Sequence, residues 1–204
     1  MGEITIIPAD NGGALATIPD TGAETTIGAA MRAQVEATIK ARYGIAQIRP
    51  RDLDTVRQRM LANGRRHSFA EMATYKKPIG GGKFAEGESI RFAEAAAMAM
   101  GNLITETIAV EEDDKRRVYR VVTTDIESNT SFSTDITVQK TVERRFVKEG
   151  QTVLSSRRNS NGDIVHLVEA TEDDMLTKSG NAISKAMRNN ILRLIPGDII
   201  EDCL

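Results

Sequence analysis

Hydrophobic and polar positions show no sustained period over residues 1–27, which are rich in Gly, Ala, Thr and Ile and are interrupted by Pro8 and Pro19. Such a stretch predicts an extended N-terminal arm, free or laid on a neighbouring subunit, ahead of a domain over residues 28–204. From about Thr26 to Tyr43 a helical period sets in. Ala30, Met31, Val35, Ala37 and Ile39 make an apolar stripe, and Gly44 stands where a C-cap glycine belongs. Arg49-Pro50-Arg51-Asp52 opens a second helix to about Ala62, with Leu53, Val56, Met60 and Leu61 inward and Asn63-Gly64 closing it. A third helical stretch spans His67 to Tyr75. Lys76-Lys77-Pro78-Ile79-Gly80-Gly81-Gly82-Lys83 cannot continue it, because its glycines and proline predict a loop.

Ser89 to Met100 (SIRFAEAAAMAM) is apolar on nearly every side, which predicts a buried helix ended by Gly101-Asn102. The period then changes to two. Leu103–Glu112, Arg116–Thr124 and Thr130–Val142 read as three strands. In the third, Phe132, Ile136 and Val138 alternate with Ser133, Asp135, Thr137 and Gln139, so one sheet face is expected to be wet. Arg144 to Arg158 predicts a further hairpin around Glu149-Gly150. A last helix begins at Thr171, carries Glu172, Asp173 and Asp174 where its dipole favours acids, and runs to about Ile195 before Pro196-Gly197. This order predicts an α+β fold: a three-stranded antiparallel sheet packed on a long C-terminal helix, with further helices N-terminal to it.

Composition narrows the function classes. The single cysteine, Cys203, excludes a disulfide framework or a Cys-rich zinc module, and His67 and His166 alone cannot build a multi-histidine metal centre. The N-terminus lacks the basic-then-apolar order of a signal peptide, and a soluble protein of the host cytoplasm is expected. The net charge of −2 hides an uneven distribution. Residues 32–91 carry +7 and residues 135–160 carry +3, while the three remaining segments carry −4 each. Such asymmetry points to a polyanionic partner.

Enzyme chemistry finds little footing. There is no G-x-x-x-x-G-K-[ST] loop to cradle a nucleoside triphosphate, although Gly80-Gly81-Gly82-Lys83 could hold a phosphate. Two histidines offer few bases for a nucleophile. The acidic runs Glu111–Asp114 and Glu172–Asp174 could ligate a divalent cation, which leaves a metal-dependent DNA end-processing nuclease as an alternative. An adaptor whose basic segments meet an acidic protein tail is a third reading.

The cations make the stronger pattern. Lys178, Lys185 and Arg188 fall within a helical sector of roughly 80°, opposite the stripe Met175, Ala182, Ile183, Ala186, Asn190, Ile191 and Leu194. With Lys76, Lys77, Lys83, Arg91, Arg144, Arg145, Arg157 and Arg158 they could line a groove that neutralises phosphates without reading sequence. With five Phe, three Tyr and no Trp, base stacking is not expected to dominate. Tyr75, Phe84 and Phe92 are expected in the core.

Several stretches then resemble one family. They are Val35-x-x-x-Ile39, Arg49-Pro50-Arg51, Tyr75-Lys76-Lys77-Pro78-Ile79-Gly80-Gly81, Gly87-Glu88-Ser89-Ile90-Arg91-Phe92-Ala93-Glu94, Gly101-Asn102 and Ala186-Met187-Arg188-Asn189-Asn190-Ile191-Leu192-Arg193-Leu194-Ile195-Pro196. Across roughly residues 32–200 they are similar to bacteriophage and prophage single-strand annealing proteins of the RecT/Redβ grouping. The resemblance implies a β-β-β-α core and an ATP-independent recombinase without cofactor, active as a ring or helical filament. It implies single-stranded DNA and an annealed duplex intermediate as partners, and a phage exonuclease or single-strand-binding protein as a further one. Members continue beyond the position of Pro196-Gly197, where a partner-binding region is expected.

Overall fold

A computed structural model describes residues 6–8, 14–16, 26–80, 82–148, 150–159 and 162–204. The chain divides into two units, Met1–Arg42 and Tyr43–Leu204. In the first, β1 (Ile6–Pro8) pairs antiparallel with β2 (Ala14–Ala16), so these described parts of the expected arm form a ladder; the rest of residues 1–25 lies outside the described residues. Helix α1 (Thr26–Ile48) crosses the division. It runs through Gly44 rather than ending there. Its expected apolar stripe does not turn inward: every residue from Ala29 to Arg42 is exposed, and the first buried side chain is Ala46.

The second unit is built around α4 (Ile90–Met100). Ser89 caps it by accepting the Phe92 N–H, satisfying one of the donors a helix start leaves open. Phe92, Ala93, Ala96, Ala99 and Met100 are all buried. The small alanines let neighbours approach closely. Against them pack Val56 and Met60 of α2 (Leu53–Gly64), Phe69 and Ala73 of α3 (His67–Ala73), and Ile191, Ile195 and Ile199 from the C-terminal end. Asp52 caps α2 through the N–H groups of Asp54 and Thr55.

At the end of α4 the chain must reverse. Gly101 has φ 64° and ψ 174°, a backbone region open essentially to glycine alone, and Asn102 follows at φ 53°. Strand β5 (Leu103–Glu112) then starts a three-stranded antiparallel sheet with β6 (Arg116–Asp125) and β7 (Thr130–Gln139), in the order β5-β6-β7. Alternation behaves as expected in β7: Phe132, Thr134, Ile136 and Val138 are covered, and Ser133, Asp135, Thr137 and Gln139 are exposed. The long helix α5 (Glu172–Leu192) packs on the covered face, where Val121, Val138, Met175 and Ala186 are buried. The fold is therefore α+β with an antiparallel sheet on a long C-terminal helix, as the periodicities predict.

Three elements differ from expectation. Residues 74–88 form a hairpin, β3 (Thr74–Gly80) with β4 (Lys83–Glu88), where a loop was expected. The glycines supply its turn, with Gly82 at φ 72°, and an isolated two-stranded ribbon tolerates Pro78 because both strands are edges. Gly81 lies outside the described residues. The expected third strand breaks near Lys140, after which β8 (Thr141–Arg144), β9 (Val153–Arg158) and β10 (Ile164–Glu169) build a second sheet in the order β8-β10-β9. Finally, α6 (Gly197–Glu201) follows Pro196 and is held by Arg57, which pairs with Asp198 and Asp202. Among the described residues no helix is long and apolar enough to cross a membrane.

One buried charge network ties the linker between α1 and α2 to the sheet. The Arg51 guanidinium pairs with Asp125, and its Nε lies 3.1 Å from Glu127, which also accepts the Asn102 amide at 2.8 Å. Arg51 is 12% and Asp125 5% exposed, so neither charge has much water to fall back on. Burial pushes the Asp125 carboxyl up, but hydrogen bonds from Arg51, Ser128 and the Glu127 N–H, with the Arg51 charge, leave it below the usual aspartate value. Breaking a buried pair strands one charge, so Arg51→Met should cost about 3–5 kcal/mol in urea unfolding. A carboxyl depressed by folding contributes stability that is present above its unfolded pKa and is lost as pH falls through its folded value. Urea midpoints should therefore drop between about pH 7 and pH 3, and less steeply in Asp125→Asn.

Candidate nucleic-acid interface

Of the eleven cations expected along a groove, ten fall into two groups, and Lys178 lies between them on α5. Lys76, Lys77 and Lys83 stand exposed on the β3–β4 hairpin. From β4 the chain passes through Ser89 straight into α4, whose first turn carries Arg91. Lys185 and Arg188 lie three residues apart on the C-terminal half of α5, on one side of the helix. The Arg188 guanidinium lies 4.9 Å from the centre of the Tyr75 ring, which joins this half of α5 to the hairpin. Tyr75 in turn covers Gly87 across the ladder: a Cβ added at Gly87 would lie 3.3 Å from the Tyr75 ring.

Not all of these charges are available. Lys76 is 2.6 Å from Glu86 and sits 4.9 Å above the Phe84 ring, and Arg91 is 3.0 Å from Glu94. Lys77, Lys83 and Lys185 have no carboxylate partner among the described residues. Of the aromatics expected in the core, Phe92 is fully buried, whereas Phe84 is half-exposed beneath Lys76 and Tyr75 is partly covered by Arg188. The periodicity of a short, glycine-punctuated hairpin gave no sign of these last two contacts.

The second group sits on the β8-β10-β9 sheet and is largely neutralised. Arg144 donates to both carboxylate oxygens of Asp174 at 2.8 Å, Arg145 lies 3.1 Å from Asp163, and Arg157 grips Glu143 at 2.8 and 2.9 Å. Arg158 has no such partner among the described residues. About 21 Å of helix rise separates Asp174 from Arg188. The Asp174 carboxyl is held below the usual value by the Thr171 backbone N–H, against a burial effect, with the Thr171 hydroxyl and Arg144 adding to it. Asp174 and Thr171 thus complete a reciprocal cap at the start of α5.

Lys178 lies between the groups and plays a different part from the one its helical sector suggests. Its ammonium donates to the carbonyls of Gln139, at 2.5 Å, and Thr141, at 2.7 Å, pinning α5 to the chain between β7 and β8. It sits at the border of the buried stripe, where a long flexible stem can fold back along the helix.

The acidic runs are similarly engaged. Glu111 and Asp113 meet Arg116, Glu112 meets Arg117 and Lys140, and Glu172 meets Arg117. Among the described residues no three His, Cys, Asp or Glu side chains are grouped to hold a metal ion. His67 stands 3.5 Å from Glu71 on an exposed helix, and His166 Nδ1 meets the Ser156 hydroxyl at 2.7 Å across β10 and β9. Burial pushes the Cys203 thiol up, away from the thiolate a nucleophile needs.

Comparison of the chain with protein-family models, curated proteins and solved structures finds no match.

The two kinds of lysine should separate cleanly. Lys178→Met removes two charge-assisted bonds to carbonyls and should cost about 1–3 kcal/mol in thermal unfolding. Lys185→Glu, at an exposed position, should change stability by less than about 0.5 kcal/mol.

Proposed function

We propose that this protein binds single-stranded DNA through its phosphates and anneals complementary strands without nucleotide hydrolysis, working as a homo-oligomer. The observation that carries this reading is the set of cations on the hairpin and on α5: Lys77, Lys83 and Lys185 stand exposed without a carboxylate partner among the described residues, and Arg188 of α5 lies against the Tyr75 ring of the hairpin. The resemblance to phage annealing proteins points the same way, and Lys76, Lys77, Arg91 and Arg188 belong to the stretches that carry that resemblance.

The mechanism follows from what such a surface can and cannot do. Lysines neutralise phosphates as mobile point charges and read no base. A strand held by its backbone keeps its Watson–Crick edges free to test a second strand. Each correct base-pair step then gains about 1.4 kcal/mol of stacking, which drives annealing without ATP. Weak contacts per subunit become strong when neighbouring subunits share one strand, because each further contact is made at high effective concentration. A phage exonuclease or single-strand-binding protein would fit beside such an assembly as supplier or competitor of the strand.

Fluorescence anisotropy with a labelled oligo-dT tests the surface. The logarithm of the binding constant should fall linearly with the logarithm of salt concentration. Replacing Lys77, Lys83 and Lys185 with Glu together should lower affinity by more than about tenfold and reduce the salt slope by about 0.7 for each phosphate no longer neutralised. The wild-type chain should speed the pairing of complementary oligonucleotides with no nucleotide present and should sediment as a multimer. A chain that stays monomeric and ignores oligonucleotides in dilute buffer overturns the reading.

A further inference from the structure

We propose that a recess between the α1–α2 linker and the C-terminal end of α4 is a binding site for the phosphate-bearing end of a nucleotide. Its volume is about 360 Å³, which suits a small ligand. Val56, Ala99 and Met100, all buried, give it an apolar floor, and Arg49 and Arg59 line it as exposed side chains.

The charge state of this recess differs from that of the other arginine-rich places on the protein. Arg51 also lines it, but its guanidinium is occupied by Asp125 and Glu127. The Asp52 carboxylate accepts from the N–H groups of Asp54 and Thr55 and from the Thr55 hydroxyl, neutral donors that leave its negative charge in place against the charges of Arg49 and Arg59. Arg49 and Arg59 have no carboxylate partner among the described residues, whereas Arg57 of the same helix as Arg59 has two. The Arg49 backbone is fixed on both sides: its N–H donates to the Ile45 carbonyl at 2.9 Å, and its carbonyl accepts the Asn102 amide at 3.2 Å. The side chain is thus presented from a held backbone without being spent.

Two unpaired guanidiniums at one recess are suited to a phosphate. The planar forks take phosphate oxygens in pairs of parallel hydrogen bonds, and the recess beside them leaves room for the attached sugar. A free nucleotide and the terminal phosphate of a DNA strand present the same chemistry. Neither arginine is among the cations of the hairpin and α5, so the two proposals are tested by separate substitutions.

Calorimetric titration of the full chain at low ionic strength with deoxyadenosine 5′-monophosphate tests the free nucleotide. Anisotropy with 5′-phosphorylated and 5′-hydroxyl forms of one oligonucleotide tests the strand end. Binding of the monophosphate but not of deoxyadenosine is expected, together with at least a tenfold loss in the double variant Arg49→Gln, Arg59→Gln and an unchanged melting temperature. A preference for the phosphorylated oligonucleotide that disappears in that variant identifies a strand end as the source and equally supports the site. The proposal falls if neither probe depends on its phosphate, if the double variant binds like wild type, or if inorganic phosphate binds as tightly as the monophosphate. Binding of the 5′-hydroxyl oligonucleotide, and its loss on lysine reversal, reports on the annealing surface separately.

Discussion

Asn190 is fully buried on α5, and both ends of its amide are used: Nδ2 donates to the Val121 carbonyl at 3.0 Å, and Oδ1 accepts the Thr134 hydroxyl at 2.8 Å. A buried amide left unsatisfied is expensive, so the helix can rotate or slide on the sheet only by losing both bonds. Everything else that matters about α5 inherits its position from this point. Ile191, next along, faces the α2–α3–α4 core; Arg188, half a turn earlier, reaches Tyr75 on the hairpin; and towards its start Lys178 and Asp174 hold the second sheet. One helix therefore meets two sheets, a helical core and a hairpin, and Asn190 fixes its register together with Lys178 nearer its start.

The sequence made the long, periodic elements legible because burial on one face leaves a trace every two or every three to four residues. That trace located α2, α4, α5 and the three strands of the main sheet to within a few residues. It failed where burial is slight. Strand β9 is exposed along its whole length, so its sequence has no alternation to read, and the hairpin's glycines and proline look the same in a loop as in a ribbon with two free edges. The stripe on α1 shows the reverse failure. Met31, Val35 and Ile39 have the spacing of a core face, but periodicity says only that a face is apolar, and all three are exposed among the described residues.

Among the cations, the sequence showed where charge accumulates but not which charges cancel. Carboxylates engage some arginines and some lysines and leave others of both types without a carboxylate partner among the described residues. Arg51, Arg57, Arg117, Arg120, Arg144 and Arg157 each hold carboxylates, as a rigid fork with several donors does well. Lys77, Lys83 and Lys185 are left to solvent. A net charge near zero is thus compatible with local groups of cations that no carboxylate engages, because the carboxylates pair with only part of the arginines and lysines.

This division also explains what the resemblance to annealing proteins rests on. Much of its sequence falls on residues that shape the backbone or fill the interior. Arg51 forms the buried pair, Gly101 holds its glycine-only conformation, and Asn102 bridges Arg49 and Glu127, while Gly87 lies beneath Tyr75 and Asn190 locks the last helix. These residues constrain which fold the chain adopts and would be needed whatever that fold binds. Lys77 has no such structural role, and Arg188 has little beyond its ring contact. Arg188 covers the ring of Tyr75, and Lys77 stands two residues further along the same strand. Substitutions in the first set should therefore act through stability, whereas an exposed lysine such as Lys77 can be changed at little structural cost.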